Sequence, residues 1–347
     1  MSINSKQTRR KFIQSAAGGM SLGFLGKSGI NAAEKDNIAR KDINLPRQIW
    51  AACVTNFGIS PKSQDDNINQ MLKRMSNVIS FNPDIICLPE TFPEARLRNR
   101  QPISETAETV PGPITTRFSE FAKKHNCYII CPLYTKDKDA VYNSAVLIGR
   151  NGNIEGIYHK VNTTEYEMKQ GIFPGPKQLP VFKTDFGTIG IQICFDANWT
   201  QNWFDLKKSG AEIIFFPSAF DGGRILNALA WMCNYYIVSC TWRIPGKIID
   251  ITGEELYRVD YHQNWMCAPI NLEKELFHMD FQFKEIKAIQ EKYGRNVEVK
   301  IYAEEGCVTI ESRSPEITIK GLIEEYKLTI YDDYIKQATV NQDKKRA

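Results

Sequence analysis

Three residues of types that cooperate in acyl transfer each follow a short apolar run. Glu90 comes after Ile85-Ile86-Cys87-Leu88-Pro89, Lys160 after Ile157-Tyr158-His159, and Cys194 after Ile189-Gly190-Ile191-Gln192-Ile193. Strand ends are where open α/β sheets place their chemistry. Alone, each residue is more often a surface group or core filler; together they form a complete set. A thiol attacking an amide-like carbon must lose its proton, and a nearby cation favours the thiolate. The same cation can offset charge growing on the substrate in the tetrahedral state. A carboxylate can take the thiol proton, give it to leaving ammonia and then activate water. No histidine is required. Of the four histidines, His125, His262 and His278 lie in segments unrelated to Cys194. His159 points to the face opposite Lys160 if that strand is extended, which disfavours a Cys–His dyad.

Other chemical patterns are weaker. His125-Cys127-Cys131 suggests a metal site, but the cysteines flank Tyr128-Ile129-Ile130 in an apolar strand and no fourth ligand has metal spacing. Gly26-Lys27-Ser28 resembles the end of a phosphate loop, yet Ser21 stands where its first glycine belongs and no strand precedes it. Most of the nine cysteines, including Cys53, Cys87, Cys240 and Cys267, sit in apolar runs, which argues for buried thiols rather than a disulfide framework.

The elements that must position Glu90, Lys160 and Cys194 are legible as periodicities. Gln48 to Phe57, Asp84 to Leu88, Cys127 to Leu133 and Thr188 to Ile193 have strand length, as do Glu212 to Phe216, Tyr236 to Cys240, Lys247 to Ile251 and Trp265 to Ile270. Ile68, Met71, Leu72, Met75, Val78 and Ile79 recur at helical spacing, and Ile114, Phe118, Phe121 and Ala122 mark a second helix. Further helices are expected from about Trp199 to Lys208 and Gly223 to Asn234. Asn151-Gly152 between Ser144–Ile148 and Ile154–Tyr158 predicts a hairpin. A polar loop, Val161 to Pro176, has its path set by Gly171, Pro174, Gly175 and Pro176. Alternating strands and helices interrupted by hairpins predict an α/β protein with mixed sheets.

The 347 residues are 42% hydrophobic and 24% charged, as in ordinary globular proteins. Residues 1–33 contribute +5 to the formal net charge of +4, so the remainder carries −1. No basic surface remains to attract nucleic acid or an anionic membrane. The basic segment itself reads as an address. Thr8-Arg9-Arg10-Lys11-Phe12-Ile13 resembles the twin-arginine export motif, and a weakly apolar stretch follows, ending in Asn31-Ala32-Ala33. The expectation is a signal peptide over 1–33, export to the periplasm or its equivalent, and no membrane association once the signal is removed.

Leu88-Pro89-Glu90-Thr91-Phe92, Tyr158-His159-Lys160-Val161 and Ile191-Gln192-Ile193-Cys194-Phe195-Asp196 resemble, in order and spacing, the three catalytic motifs of the nitrilase superfamily of carbon–nitrogen hydrolases. The Gly210–Ile214 and Pro217–Phe220 segments and Ile249–Glu254 are similar to further family elements, so the resemblance covers about residues 46–272. It implies a four-layer α-β-β-α sandwich with two mixed sheets, a thioester on Cys194, and neither cofactor nor metal. It also implies a small-molecule amide substrate and a homodimer or larger homo-oligomer. Glu167, seven positions before Pro174, matches a second family glutamate that would orient Lys160 or the attacking water; Glu165 is the competing match. Phe195, Trp199, Phe173 and Ser218 are candidate substrate contacts, with Trp231 a further aromatic candidate. Ala197-Asn198-Trp199-Thr200 and Trp231-Met232-Cys233-Asn234-Tyr235 depart from the commonest family pattern, which puts substrate class in question. The expected layout is a linker over 34–45, the hydrolase domain over 46–280, and a C-terminal extension over 281–347 holding a hairpin, two short helices and an oligomer contact. The expected activity is hydrolysis of a small amide or N-carbamoyl compound with release of ammonia. Nitrile hydrolysis, N-acyl transfer and a non-catalytic binding role are the alternatives.

Overall fold

The computed structural model describes residues 45–243, 246–259 and 262–346. The expected signal segment and the linker up to residue 44 lie outside the described residues. The first half of the chain runs β1 (Gln48–Val54), α1 (Gln64–Met75), β2 (Ile85–Cys87), α2 (Ile103–Thr106), α3 (Pro113–His125), β3 (Tyr128–Asp137), β4 (Ala140–Ile148), β5 (Ile154–His159) and α4 (Glu165–Lys169). There follow β6 (Val181–Lys183), β7 (Thr188–Ile191), α5 (Thr200–Lys208), β8 (Ile213–Ser218), α6 (Gly223–Cys233), β9 (Tyr236–Thr241), β10 (Lys247–Ile249), β11 (Glu255–Arg258) and β12 (Trp265–Asn271). The C-terminal part holds β13 (Lys274–His278), α7 (Phe283–Tyr293), β14 (Val297–Tyr302), β15 (Cys307–Ser312), α8 (Ile319–Tyr326) and α9 (Tyr331–Arg346).

The described strands form two six-stranded sheets, ordered β12-β1-β2-β3-β4-β5 and β11-β10-β9-β8-β7-β6, and a three-stranded sheet, β13-β15-β14. The large sheets repeat one pattern. In the first, β1, β2 and β3 are parallel, then β4 and β5 return antiparallel. In the second, β7, β8 and β9 are parallel, then β10 and β11 return antiparallel. Alternation along each strand sends one set of side chains between the sheets and the other under helices. On β1, for example, Ala51 and Cys53 enter the inter-sheet core, while Ala52 and Val54 pack toward Met71 of α1 and Phe118 of α3. Phe215 and Phe216 of β8 divide in the same way between that core and the layer of α5 and α6. The result is the α-β-β-α sandwich.

Local differences from the sequence reading have physical causes. The polar loop after Lys160 contains α4, because Thr164 accepts the Glu167 N–H and Glu167 reaches back to the Thr164 N–H, a reciprocal cap that nucleates one short helix. The C-terminal hairpin β14–β15 forms, but its central strand also pairs with β13, so the third sheet begins before residue 281. Three helices follow β13 rather than two short ones; α9 has 16 residues, none of them buried, and so shows no apolar stripe in sequence. None of the described helices is long and apolar enough to cross a membrane. The nine cysteines are all free thiols.

Candidate active site

The parallel strands of both large sheets run their C-terminal ends toward one another's loops, and polar groups collect there. After β2 the backbone turns sharply. Thr91 has a left-handed φ of 39°, uncommon for a β-branched residue. Two contacts hold that turn. The buried Asn67 amide of α1 donates to the carbonyls of Phe92, Pro93 and Ala95 at 2.7, 3.1 and 3.0 Å. The Trp242 indole N–H donates to the carbonyl of Glu90. Lys160 continues β5: its N–H donates to the Asn143 carbonyl at 2.8 Å and its own carbonyl accepts the Gly175 N–H at 2.8 Å. A Cβ at Gly175 would lie 2.3 Å from the His159 carbonyl oxygen, so this return of the loop requires glycine.

Cys194 opens a 3-10 turn, Cys194–Asn198, with a left-handed φ of 49°. Asp196, fully buried, fixes that turn. Its carboxylate accepts the Tyr158 hydroxyl at 2.7 Å, the Ile193 N–H at 2.9 Å and the Asn162 N–H at 2.8 Å. The turn is thereby tied to the strand and loop that carry Lys160. Burial pushes the Asp196 carboxyl up to about 6, against the pull of these donors.

The side chains meet in a buried cluster. Lys160 Nζ lies 2.9 Å from Glu90 Oε1, 2.9 Å from Glu167 Oε2 and 3.1 Å from Glu167 Oε1, with Lys160 only 1% exposed. The Asn143 amide nitrogen donates to both carboxylates, 2.8 Å to Glu90 Oε1 and 2.7 Å to Glu167 Oε1. The Ala219 N–H, from the segment after β8, donates to Glu90 Oε2 at 2.9 Å, and the Cys194 thiol lies in the fields of Glu90 and Lys160. Glu167 has both oxygens committed, Oε2 also accepting the Thr164 N–H at 2.8 Å and hydroxyl at 3.0 Å. Glu165 is exposed, so Glu167 is the glutamate that joins the cluster.

Burial alone would discharge Lys160, but the fields of Glu90 and Glu167 outweigh it and hold the ammonium well above its ordinary value. Burial also opposes the Glu167 carboxylate, yet Lys160, the Thr164 N–H and Asn143 keep it below the usual range. The Cys194 thiol is pushed up to about 12 by burial and by the Glu90 charge, against the pull of Lys160. The resting arrangement is therefore a neutral thiol near Glu90, beside a permanent cation. It can move a proton from sulfur to Glu90 while Lys160 stays charged.

The remaining sequence candidates scatter. Phe195, half-buried, meets Trp199 edge-on at 5.1 Å between ring centroids, and both flank Cys194 in sequence. Phe173 stands apart: its ring lies tilted against Tyr142, which in turn lies tilted against His159 on the face of β4 and β5 opposite Asn143. Ser218 is buried and its hydroxyl accepts the Phe220 N–H, closing a local turn. Trp231 packs on Tyr302 of the C-terminal sheet. Sequence reasoning missed Asn143, Thr164 and the Ala219 amide. Asn143 left one signal, a polar side chain on the same strand face as Ala145 and Leu147.

A family model for carbon–nitrogen hydrolases matches residues 51–242, which span the Glu90, Lys160 and Cys194 positions. The chain belongs to the carbon–nitrogen hydrolase family. Among the relatives of this hydrolase are a β-ureidopropionase of Arabidopsis thaliana, 38% identical over 40% of this chain and 36% of the relative, and a nitrilase of Pyrococcus abyssi, 31% identical over 44% of this chain and 59% of the relative. The hydrolase thus spans roughly a third to three fifths of the length of these two relatives. The crystal structure of Saccharomyces cerevisiae Nit3, a member of the nitrilase superfamily, shares the fold with a TM-score of 0.57 at 17% identity, over 65% of this chain and 90% of that one.

Proposed function

We propose that this carbon–nitrogen hydrolase cleaves a small primary amide or N-carbamoyl compound, with Cys194 as nucleophile, Glu90 as general base and acid, Lys160 as cationic partner and Glu167 as fixed counter-charge. The observation that carries the reading is the Cys194 thiol in the field of Glu90, whose Oε1 in turn lies 2.9 Å from the buried Lys160 ammonium. Because the thiol rests neutral, its proton passes to Glu90 as sulfur bonds to the carbonyl carbon. Lys160 and nearby backbone N–H groups stabilise the oxygen as it gains charge. Glu90 then protonates the nitrogen, the C–N bond breaks and ammonia leaves a Cys194 thioester. Water next gives its proton to Glu90 and attacks; the C–S bond breaks and the thiol regains its proton. Glu167, its oxygens saturated, keeps Lys160 in place throughout.

Amide rather than nitrile chemistry is favoured by Phe195-Asp196, where nitrile-specialised family members typically carry Trp-Glu. A nitrile also offers no leaving group for Glu90 to protonate until a second addition has occurred. The Arabidopsis relative's name points the same way. Intact Glu90, Lys160 and Cys194 argue against a purely binding role. Ammonia release measured over matched amides, N-carbamoyl compounds and nitriles tests the reading. Activity is expected on the first two, insensitive to chelator and abolished by thiol alkylation; faster turnover of a nitrile than of its amide overturns the choice.

We further propose export by the twin-arginine route, on the strength of Arg9-Arg10 and the weakly apolar run after them. Replacing both by lysine should strand the precursor in the cytoplasm, and N-terminal sequencing should find a mature start near Glu34. Recovery of exported protein still beginning at Met1 or Ser2 would count against cleavage. A homodimer or larger assembly is the expected working state, supported by the exposed Ile225 and Met232 on α6.

A further inference from the structure

We infer that Asn143 is a positioning residue that keeps both site carboxylates ionised, so that Glu90 is free to accept the thiol proton. This rests on the function proposed above. Two carboxylates share one lysine here, and like charges in one buried site favour protonation of one of them. If Glu90 held that proton at rest, it could not take another from Cys194. Lys160 offsets one charge only. Asn143 supplies the difference with a neutral group: it offers two N–H donors, and its nitrogen lies within hydrogen-bond distance of each carboxylate's Oε1.

The orientation of the amide is not ambiguous, since flipping it would aim a carbonyl at two anions. Its own Oδ1 is buried without a hydrogen-bond partner among the described residues. An apolar side chain would avoid that loss, so stability alone does not account for asparagine. Asn143 lies opposite Tyr134 in the β3–β4 register, and its main-chain carbonyl accepts the Lys160 N–H. One residue thus holds the side chains of Glu90 and Glu167 and the main chain of Lys160. The charged and titratable groups around Glu90 come from every neighbouring element. They are Lys160 after β5, Glu167 on α4, Cys194 and Asp196 on the turn after β7, Glu94 after β2, and Tyr134 on β3, whose hydroxyl lies in the field of Glu90, Glu94 and Glu167. Among them Lys160 is the one cation.

The test is the rate of Cys194 alkylation by iodoacetamide on the full chain, followed by peptide mass spectrometry from pH 5 to 9, which needs no substrate. In Asn143→Ala the acid limb of the profile should move up by about one pH unit, a roughly tenfold slower reaction on that limb, with the plateau at high pH retained. Asn143→Ser, with a single donor, should shift it less, and Asn143→Asp, adding a third carboxylate, should shift it most. A lowered plateau with the limb in place would indicate a merely structural role and overturn the inference, as would an unchanged profile. Should the alanine variant fail to fold, the serine variant decides by the same criteria. Absence of labelling at wild-type Cys194 would overturn the proposed function and this inference together, whereas normal wild-type labelling with unmoved variants overturns Asn143 alone.

Discussion

Among the described residues, the buried Lys160 and the half-buried Lys274 each face two carboxylates. Lys160 lies between Glu90 and Glu167; Lys274 of β13 lies 2.8 Å from Asp250 and 3.6 Å from Glu311. Burial opposes both cations, and in both the neighbouring carboxylates outweigh it. Each cluster even has its asparagine: Asn143 in the first, and in the second Asn271, which donates to Glu311 at 3.0 Å and to the Ser312 carbonyl at 2.8 Å. Each also joins two sheets. The Ala219 N–H, just after β8 of the second sheet, reaches Glu90 after β2 of the first, while Lys274 of the third sheet reaches Asp250 after β10 of the second. What separates them is a thiol. Cys194 brings to the first cluster an atom that can lose a proton and form a bond, and Glu90 is placed to receive that proton. Among the described residues the second cluster has the hydroxyls of Thr252 and Tyr302 beside it but no thiol, so a lysine between two carboxylates is not in itself a reactive signature.

Breaking the pairings should expose that difference. The largest effect is expected from Cys194→Ala, which should abolish ammonia release while the melting curve barely moves, because a half-buried sulfur contributes little packing. Full activity in that variant would remove the mechanism. Next come Lys160→Ala and Glu90→Gln, each expected to lower kcat/KM by about 10³-fold or more. The double variant should lose little beyond either single one, since the groups act as a unit. In the second cluster Lys274→Ala should do the reverse. It leaves the fully buried Asp250 without its cation, while Glu311 keeps Arg313 at 3.1 Å; the expected loss is about 3–5 kcal/mol in unfolding free energy, while alkylation of Cys194 keeps its rate and pH profile. Denaturant titration and labelling on the same preparation would show it. Loss of labelling in a folded Lys274→Ala protein would mean that the two clusters are coupled, and would break the comparison.

The two clusters were unequally visible in the sequence. Glu90, Lys160 and Cys194 stand where apolar strands stop, and their local runs survive in the structure as β2, β5 and β7. Glu167 needed the family resemblance: the Thr164-Glu165-Tyr166-Glu167 spacing is that of a reciprocal cap, but no apolar helical run follows it to mark a helix there. Asn143 could not be placed because its partners depend on the register of β3 with β4 and on a helix 24 residues away in sequence. The Ser218 hydroxyl closes a local turn, and strand parity gives the reason. It shares strand parity with Ile214 and Phe216, which face the helices, whereas the group that reaches Glu90 is the next residue's main-chain N–H. Lys274 was invisible: neither its strand nor its contacts across 24 and 37 residues leave a local pattern. Chemistry at strand ends is locally encoded, while clamps between sheets are encoded only in the assembled fold.

A further buried carboxylate sharpens the point by lacking a lysine. Glu94, four residues after Glu90, is 7% exposed; Gln64 donates to its Oε1 at 2.7 Å, and its Oε2 has no hydrogen-bond partner among the described residues. Burial, only partly offset by Gln64 and Arg100, pushes its carboxyl up to about 7, whereas Glu167, with Lys160 beside it, is held below the usual range. The sign of the stability effect follows. Raised above its unfolded value of about 4.5, Glu94 favours the folded state most when protonated. That contribution is complete below about pH 4.5 and is lost as pH rises to about 7. Glu94→Gln carries no such penalty at any pH. The variant should therefore match the parent near pH 4.5, gain on it up to about pH 7 and remain ahead by a constant margin of no more than about 3 kcal/mol at pH 8. Urea titrations at pH 4.5, 6 and 8 would resolve the trend. A gap that stays flat across that range would mean that Glu94 already has a compensating partner, and that burial without a lysine is not what distinguishes it from Glu167.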